Sequence, residues 1–279
     1  MRVLLPLAAL ASAVLAAQTP VRQLAIINAS VQQFEDGPPI PAGHMFIPGE
    51  MVFFSFQVQG YTVPADQKVR LTYRVEVRDP EGTPVVETNS GKIETELTEK
   101  DKEWLPKIRH SFLLPLHALP AQYRIAAWAK DERSAQEAKA EAAFTVQGRA
   151  VEKSATLVVR NLRFLPSEEA REPLAAAVYR AGETLWARFD ITGFKAGEKN
   201  RIDVTYGISI LSPSGRVLFS EPQAALEQDA PFYPKRFVPG VASLNVQPGT
   251  TPGQYTLVIA VRDAVGGQTC ESRAAFRIE

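Results

Sequence analysis

Apolar and polar residues alternate without a break from Val69 to Val77, odd positions apolar and even positions polar apart from Tyr73 among its apolar neighbours. A period of two sends alternate side chains to opposite faces, so one face of this segment meets a core and the other meets water. The same reading predicts strands over Leu24–Phe34, Met51–Gln59, Tyr123–Ala129, Ala138–Val146, Tyr255–Val261 and Cys270–Ile278. Asp79-Pro80-Glu81-Gly82 and Ser212-Pro213-Ser214-Gly215 predict turns, because Pro presets φ and Gly accepts φ > 0. No amphipathic helix of several turns competes. Ser167–Glu172 could form one helical turn, and Lys130–Ala142 is helix-prone in composition.

The pattern recurs. Gly49, Phe56 and Gly60 stand the same distance before Gly182, Phe189 and Gly193, and the spacing also pairs Leu24 with Leu157, Tyr73 with Tyr206 and Pro80 with Pro213. It shortens by one residue later, where Tyr123, Asp131 and Phe144 pair with Tyr255, Asp263 and Phe276. So many matches in fixed order mark a duplication. Copy one is expected at 22–147 and copy two at 154–279, joined by a short linker over 148–153. The repeat decides against a helix at Lys130–Ala142, because its partner segment Arg262–Ala274 has no helical composition.

Composition adds limits. Lys plus Arg and Asp plus Glu number 31 each, so no whole-chain field steers nucleic acid, which is expected not to be a partner. Cys270 is alone and rules out an intramolecular disulfide; it reads as a buried small hydrophobe or as one end of an intermolecular bridge. Arg2, the apolar run Leu4–Leu15 and the small residues Ala16 and Ala17 read as a signal peptide over 1–17, which predicts export to the periplasm or beyond and no membrane span after cleavage.

Leu119-Pro120-Ala121-Gln122-Tyr123 and Thr251-Pro252-Gly253-Gln254-Tyr255, each followed by a strand and an Asp, resemble the Pro-Gly-x-Tyr segment of bacterial immunoglobulin-like and fibronectin-III-like modules. With about seven predicted strands per copy, the fold class is all-β: two tandem immunoglobulin-like antiparallel β-sandwiches with a short linker. The resemblance implies that Tyr123 and Tyr255 each bond upstream backbone at a corner. It covers the last quarter of each copy and carries no ligand.

Motifs of catalysis, phosphate binding or paired-cysteine metal binding are missing, so no cofactor and no enzymatic activity are expected. His44 with Met45 and Met51 is a weak candidate for soft copper binding against the plainer reading of a loop His and rim Met residues. Gly49 and Gly182 read as structural, and Glu50 and Glu183 as acceptors of backbone N–H at a turn. Asp131 and Asp263 read as turn-closing carboxylates, with calcium the alternative.

One shared feature divides the readings. Trp104-Leu105-Pro106-Lys107 and Phe232-Tyr233-Pro234-Lys235 set aromatic residues before Pro-Lys in corresponding loops. Trp104, Lys107, Phe232, Tyr233 and Lys235 are therefore candidate binding residues. The alternative is that they close an open end of a sandwich or pack at the junction between copies. The functional expectation is a non-catalytic secreted or periplasmic binding or scaffolding protein whose partner is another envelope or extracellular protein or a polysaccharide. A carbohydrate-binding or enzyme-accessory module and a hydrolase with a dispersed site are the alternatives.

Overall fold

A computed structural model describes residues 23–101 and 103–279. The signal peptide expected over 1–17 lies outside the described residues. The first half holds β1 (Ala25–Gln32), β2 (Met45–Phe46), β3 (Met51–Gln59), β4 (Lys68–Arg78), β5 (Asn89–Glu96), β6 (Lys107–Leu113), β7 (Ala121–Asp131) and β8 (Glu137–Val146). The second holds β9 (Val158–Leu165), β10 (Val178–Tyr179), β11 (Thr184–Thr192), β12 (Ile202–Leu211), β13 (Val217–Asp229), β14 (Phe237–Asn245), β15 (Gly253–Asp263) and β16 (Gln268–Ile278).

The fold is all-β, two tandem sandwiches of largely antiparallel sheets. In the first, a sheet ordered β1-β3-β6 faces one ordered β2-β8-β7-β4-β5; in the second, β9-β11-β14 faces β10-β16-β15-β12-β13. The alternation in β4 does what its period requires: Val69, Leu71, Val75 and Val77 are buried while Arg70 and Arg74 are exposed. Lys130–Ala142 is the end of β7, a turn and β8, and Ser167–Glu172 forms bends without a helix. The eighth strand of each sandwich, β2 or β10, escapes a pattern-based reading because two residues cannot display a period. Each pairs in parallel with the last strand of its own sandwich.

β1 and β9 each carry a bulge at an Asn in the left-handed region, Asn28 at φ 54° and Asn161 at φ 52°. Asn tolerates that region better than most side chains. Two separate hydrophobic clusters fill the sandwiches, one around Phe54, Phe56, Tyr123 and Phe144, the other around Phe189, Tyr206, Tyr255 and Phe276. One residue breaks the partition. Tyr233 belongs to the second sandwich by sequence and to the first sandwich's cluster by contact.

Candidate functional site

The two aromatic-Pro-Lys loops have opposite fates. The first lies at the end of the first sandwich where a 3₁₀ turn, Glu99–Asp101, follows β5. Asp101 Oδ2 accepts from the Thr98 backbone N–H at 2.8 Å and from its hydroxyl at 2.6 Å, and these bonds lower the carboxyl pKa. The Asp101 carbonyl accepts from Trp104 N–H at 2.9 Å. The Trp104 carbonyl in turn accepts from the Tyr61 hydroxyl at 2.5 Å, and the two rings meet edge to face with centroids 6.1 Å apart. Beside them opens a groove of about 990 Å³, which includes Tyr61, Leu97, Glu99, Asp101, Glu103 and Trp104 in its lining. Three carboxylates and no cation stand among its described lining residues. Lys107 points elsewhere: it opens β6 and pairs with Asp36 at 2.6 Å, joined there by Arg109. Bonds from Arg109 and then Lys107 hold the Asp36 carboxyl down at about 2.

The second loop leaves its own sandwich. Tyr233 is 2% exposed, and its hydroxyl donates to Asp79 Oδ2 of the first sandwich at 3.0 Å. His117 stacks on its ring at 5.5 Å and bonds the Tyr233 carbonyl through Nε2 at 2.7 Å. Burial raises the Tyr233 phenol pKa, so the hydroxyl stays a donor. Arg236 completes the contact, bonding Glu81 at 3.1 Å, Asp79 at 3.5 Å and the Thr83 hydroxyl at 3.3 Å. The sandwich junction is therefore an aromatic plug with charged flanks. Phe232 remains 52% exposed, its carbonyl accepting from Asn200 at 2.7 Å. Lys235 pairs with Glu227 and with Asp229. Trp104 and Tyr233 thus sit in separate places.

The remaining singled-out residues take local roles. Tyr123 donates to the Leu119 carbonyl at 2.9 Å and Tyr255 to the Thr251 carbonyl at 2.6 Å, a corner in each sandwich. Gly49 and Gly182 lie at φ 87° and 90°, where a side chain would be strained. Glu50 accepts from Ile47 N–H and Glu183 from Arg180 N–H, both at 2.9 Å. Asp131 and Asp263 close turns, each accepting from backbone N–H groups. His44 packs edge-on against Phe46 at 4.6 Å, while Met45 and Met51 begin strands of different sheets. Among the described residues no group of three His, Cys, Asp or Glu is placed to hold a metal, and no helix is long and apolar enough to cross a membrane.

Arg236, Arg149 and Asp190 matter to the architecture and went unread in the sequence, and Asp79 was read only as part of a turn. The signal present was asymmetry: Asp79 stands where the second copy has Ser212, and His117 where it has Gly249.

No family model and no curated protein matches the chain. Among solved structures it is similar to the Pseudomonas fluorescens alkylpurine DNA glycosylase AlkC bound to DNA containing an abasic-site analogue, at 14% identity and a TM-score of 0.30, over 45% of this chain and 31% of that one. The chain spans about a third of that structure. The expectation of a non-catalytic secreted or periplasmic binding or scaffolding protein is corrected here: the matched structure is an enzyme on DNA, and nothing found supports a secreted scaffold. The expectation of an envelope protein or polysaccharide as partner, with nucleic acid excluded, is corrected with it. Its physical flaw was to average charge over the whole chain, whereas charge acts within about a Debye length. A likeness at this level assigns no activity and no ligand, and neither expectation is carried forward.

Proposed function

We propose that the protein binds a cationic ligand with an apolar body in the groove at the Trp104 end of the first sandwich. The observation that carries this reading is the edge-to-face pair of Tyr61 and Trp104 set beside Glu99, Asp101 and Glu103, with no cation among the described lining residues. Aromatic faces attract cations through their quadrupole, and carboxylates add Coulomb attraction in a partly enclosed volume. The volume of about 990 Å³ is at the upper end of small-ligand sites, so the ligand is larger than a simple amine. Each sandwich, in the same proposal, is an immunoglobulin-like or fibronectin-like module, a reading supported by the two tyrosine corners.

Calorimetric titration with N-acetyl-arginine amide and its uncharged isostere N-acetyl-citrulline amide tests it. The arginine compound should bind and the citrulline compound should be weaker by about tenfold, as a cation–π contact of this kind gives. Trp104→Ala and the pair Glu99→Gln with Glu103→Gln should each remove most of that difference. Equal binding of both compounds, or binding indifferent to these variants, would reject the proposal.

A further inference from the structure

The duplication makes the first sandwich a control for the second. In the first, the end that carries the tyrosine corner is closed by Tyr233, which joins a cluster containing Val77, Val85, Leu114, Tyr123, Phe144 and Val146. The corresponding end of the second sandwich has no such plug among the described residues. It opens instead into a cavity of about 490 Å³ whose lining includes Ile210, Leu218, Val246, Tyr255, Phe276 and Ile278. Five of these are the repeat counterparts of residues just named; at the sixth place Leu218 matches Val85 by spacing, while Phe219, also in the lining, stands opposite Ile210 as Val85 stands opposite Val77. The cover at the mouth differs: Val85 is buried, whereas Phe219 is half-buried and Leu218 beside it is 47% exposed. Where the His117 ring stacks on Tyr233, the second sandwich has Gly249, with no atom within 4 Å of where a side chain would begin.

We propose that this end of the second sandwich is a socket for an aromatic side chain, carried by a loop of another polypeptide and flanked by an acidic residue. The aromatic part follows from the first sandwich, where a tyrosine joins the equivalent cluster and stacks on His117. The flank follows from the rim. Asp79, Glu81 and Thr83, which hold Arg236 in the first sandwich, are replaced by Ser212, Ser214 and Arg216. Both acids are lost and a cation is gained, and Arg216 is exposed and makes no ion pair among the described residues. Charge complementarity therefore inverts: the first socket accepts an aromatic residue with a basic neighbour, the second one with an acidic neighbour. The same inversion disfavours a second copy of this chain as the occupant. Its Tyr233 is already buried in its own first sandwich, and its Arg236 would face Arg216. This socket is separate from the Trp104 groove, and neither reading depends on the other.

The test uses methyl-labelled full-length protein and a nonapeptide with the sequence of residues 230–238 carrying Arg236→Glu. Saturable shifts are expected at the methyls of Leu218, Leu244, Val246 and Ile278, with those of Val85 and Leu114 unmoved. The peptide with Arg236 unchanged should bind about fivefold more weakly, in line with one exposed charge pair, and the peptide with Tyr233→Ala should not bind. Arg216→Glu, an exposed change, should reverse the preference between the two charged peptides. Absence of shifts at the socket methyls, equal binding by the Tyr233→Ala peptide, or a preference unmoved by Arg216→Glu would each overturn the proposal. A dimer in sedimentation that Leu218→Glu abolishes would overturn it in favour of self-association.

Discussion

At the scale of single residues, His117 has the most consequential environment. Burial lowers its pKa, with the bond to the Tyr233 carbonyl opposing, and that bond places the proton on Nε2 of a neutral ring. Because the folded value lies below the unfolded one of about 6.5, the unfolded chain takes up the proton first as pH falls. The contribution is thus complete above about 6.5 and is lost as pH drops through the folded value. Asp36 does not interfere: its pKa is depressed to about 2, so its contribution is present above the ordinary carboxylate range and disappears only in strong acid. Thermal unfolding followed from pH 7 to pH 5 should therefore show a destabilisation that His117→Gln reduces. Equal slopes for the two proteins would show that this ring is not the titrating group. His110, also lowered by burial, is common to both and cancels.

At the scale of elements, the linker is bound rather than free. Arg149 reaches Asp190 on β11 with two guanidinium nitrogens, one to each carboxylate oxygen, and stacks against Phe237 at 5.8 Å. Asp190 points away from the core yet is 0% exposed, because Arg149 and the bulge residue Asn161 cover it. Removing the arginine would strand a buried carboxylate. Arg149→Ala should therefore cost about 2–3 kcal/mol, below the usual range for a buried pair because the arginine is itself partly exposed. Asp190→Asn, which keeps the Asn161 contact, should cost less. Urea denaturation of both variants distinguishes this from a solvent-screened pair, for which neither change would exceed about 1 kcal/mol.

Repetition explains what could be read from the sequence. The strands, turns and corners occur twice, so each half corroborated the other, and β4 displayed its buried face in an unbroken alternation. Asp190 could not be read this way, since its counterpart in the first copy is the neutral Gln57, which accepts from Asn28 as Asp190 does from Asn161 but pairs with no arginine among the described residues. The groove was half legible: Trp104 stood out as a loop aromatic, but Tyr61 and the three carboxylates come together through the loop after β3 and the turn after β5, a juxtaposition that spacing does not reveal. Tyr233 was the opposite case. The aromatic-Pro-Lys likeness linked it to Trp104, yet similar loops on successive modules meet different neighbours. The first loop faces away from the junction and the second faces into it.

At the scale of the whole molecule, the junction couples two cores that are otherwise separate. The plug crosses from the second sandwich into the first, Arg236 adds ion pairs to Asp79 and Glu81, and Lys153 from the linker adds another to Glu81. The contribution is one-sided, since Tyr233 packs in the first cluster and no residue of the first sandwich joins the second. Tyr233→Ala should therefore destabilise the first sandwich, by about 3–5 kcal/mol as for other large-to-small changes in a core. The second sandwich should unfold as before. Tyr233→Phe keeps the ring and removes the bond to Asp79, whose other oxygen still accepts from Glu81 and Thr83 N–H, so its cost should be about 1 kcal/mol. Hydrogen exchange resolves the two cores in one experiment. Amides of β4 and β7 should lose protection in Tyr233→Ala while those of β12 and β15 keep theirs. Loss confined to the second sandwich, or shared equally, would mean that the plug holds its own loop in place and not the neighbouring core. The same variant should free the orientation of the two halves. Residual dipolar couplings that fit one alignment tensor in the parent protein should then require two, because Arg149 and the Glu152–Arg160 pair hold the linker to the second sandwich but not to the first.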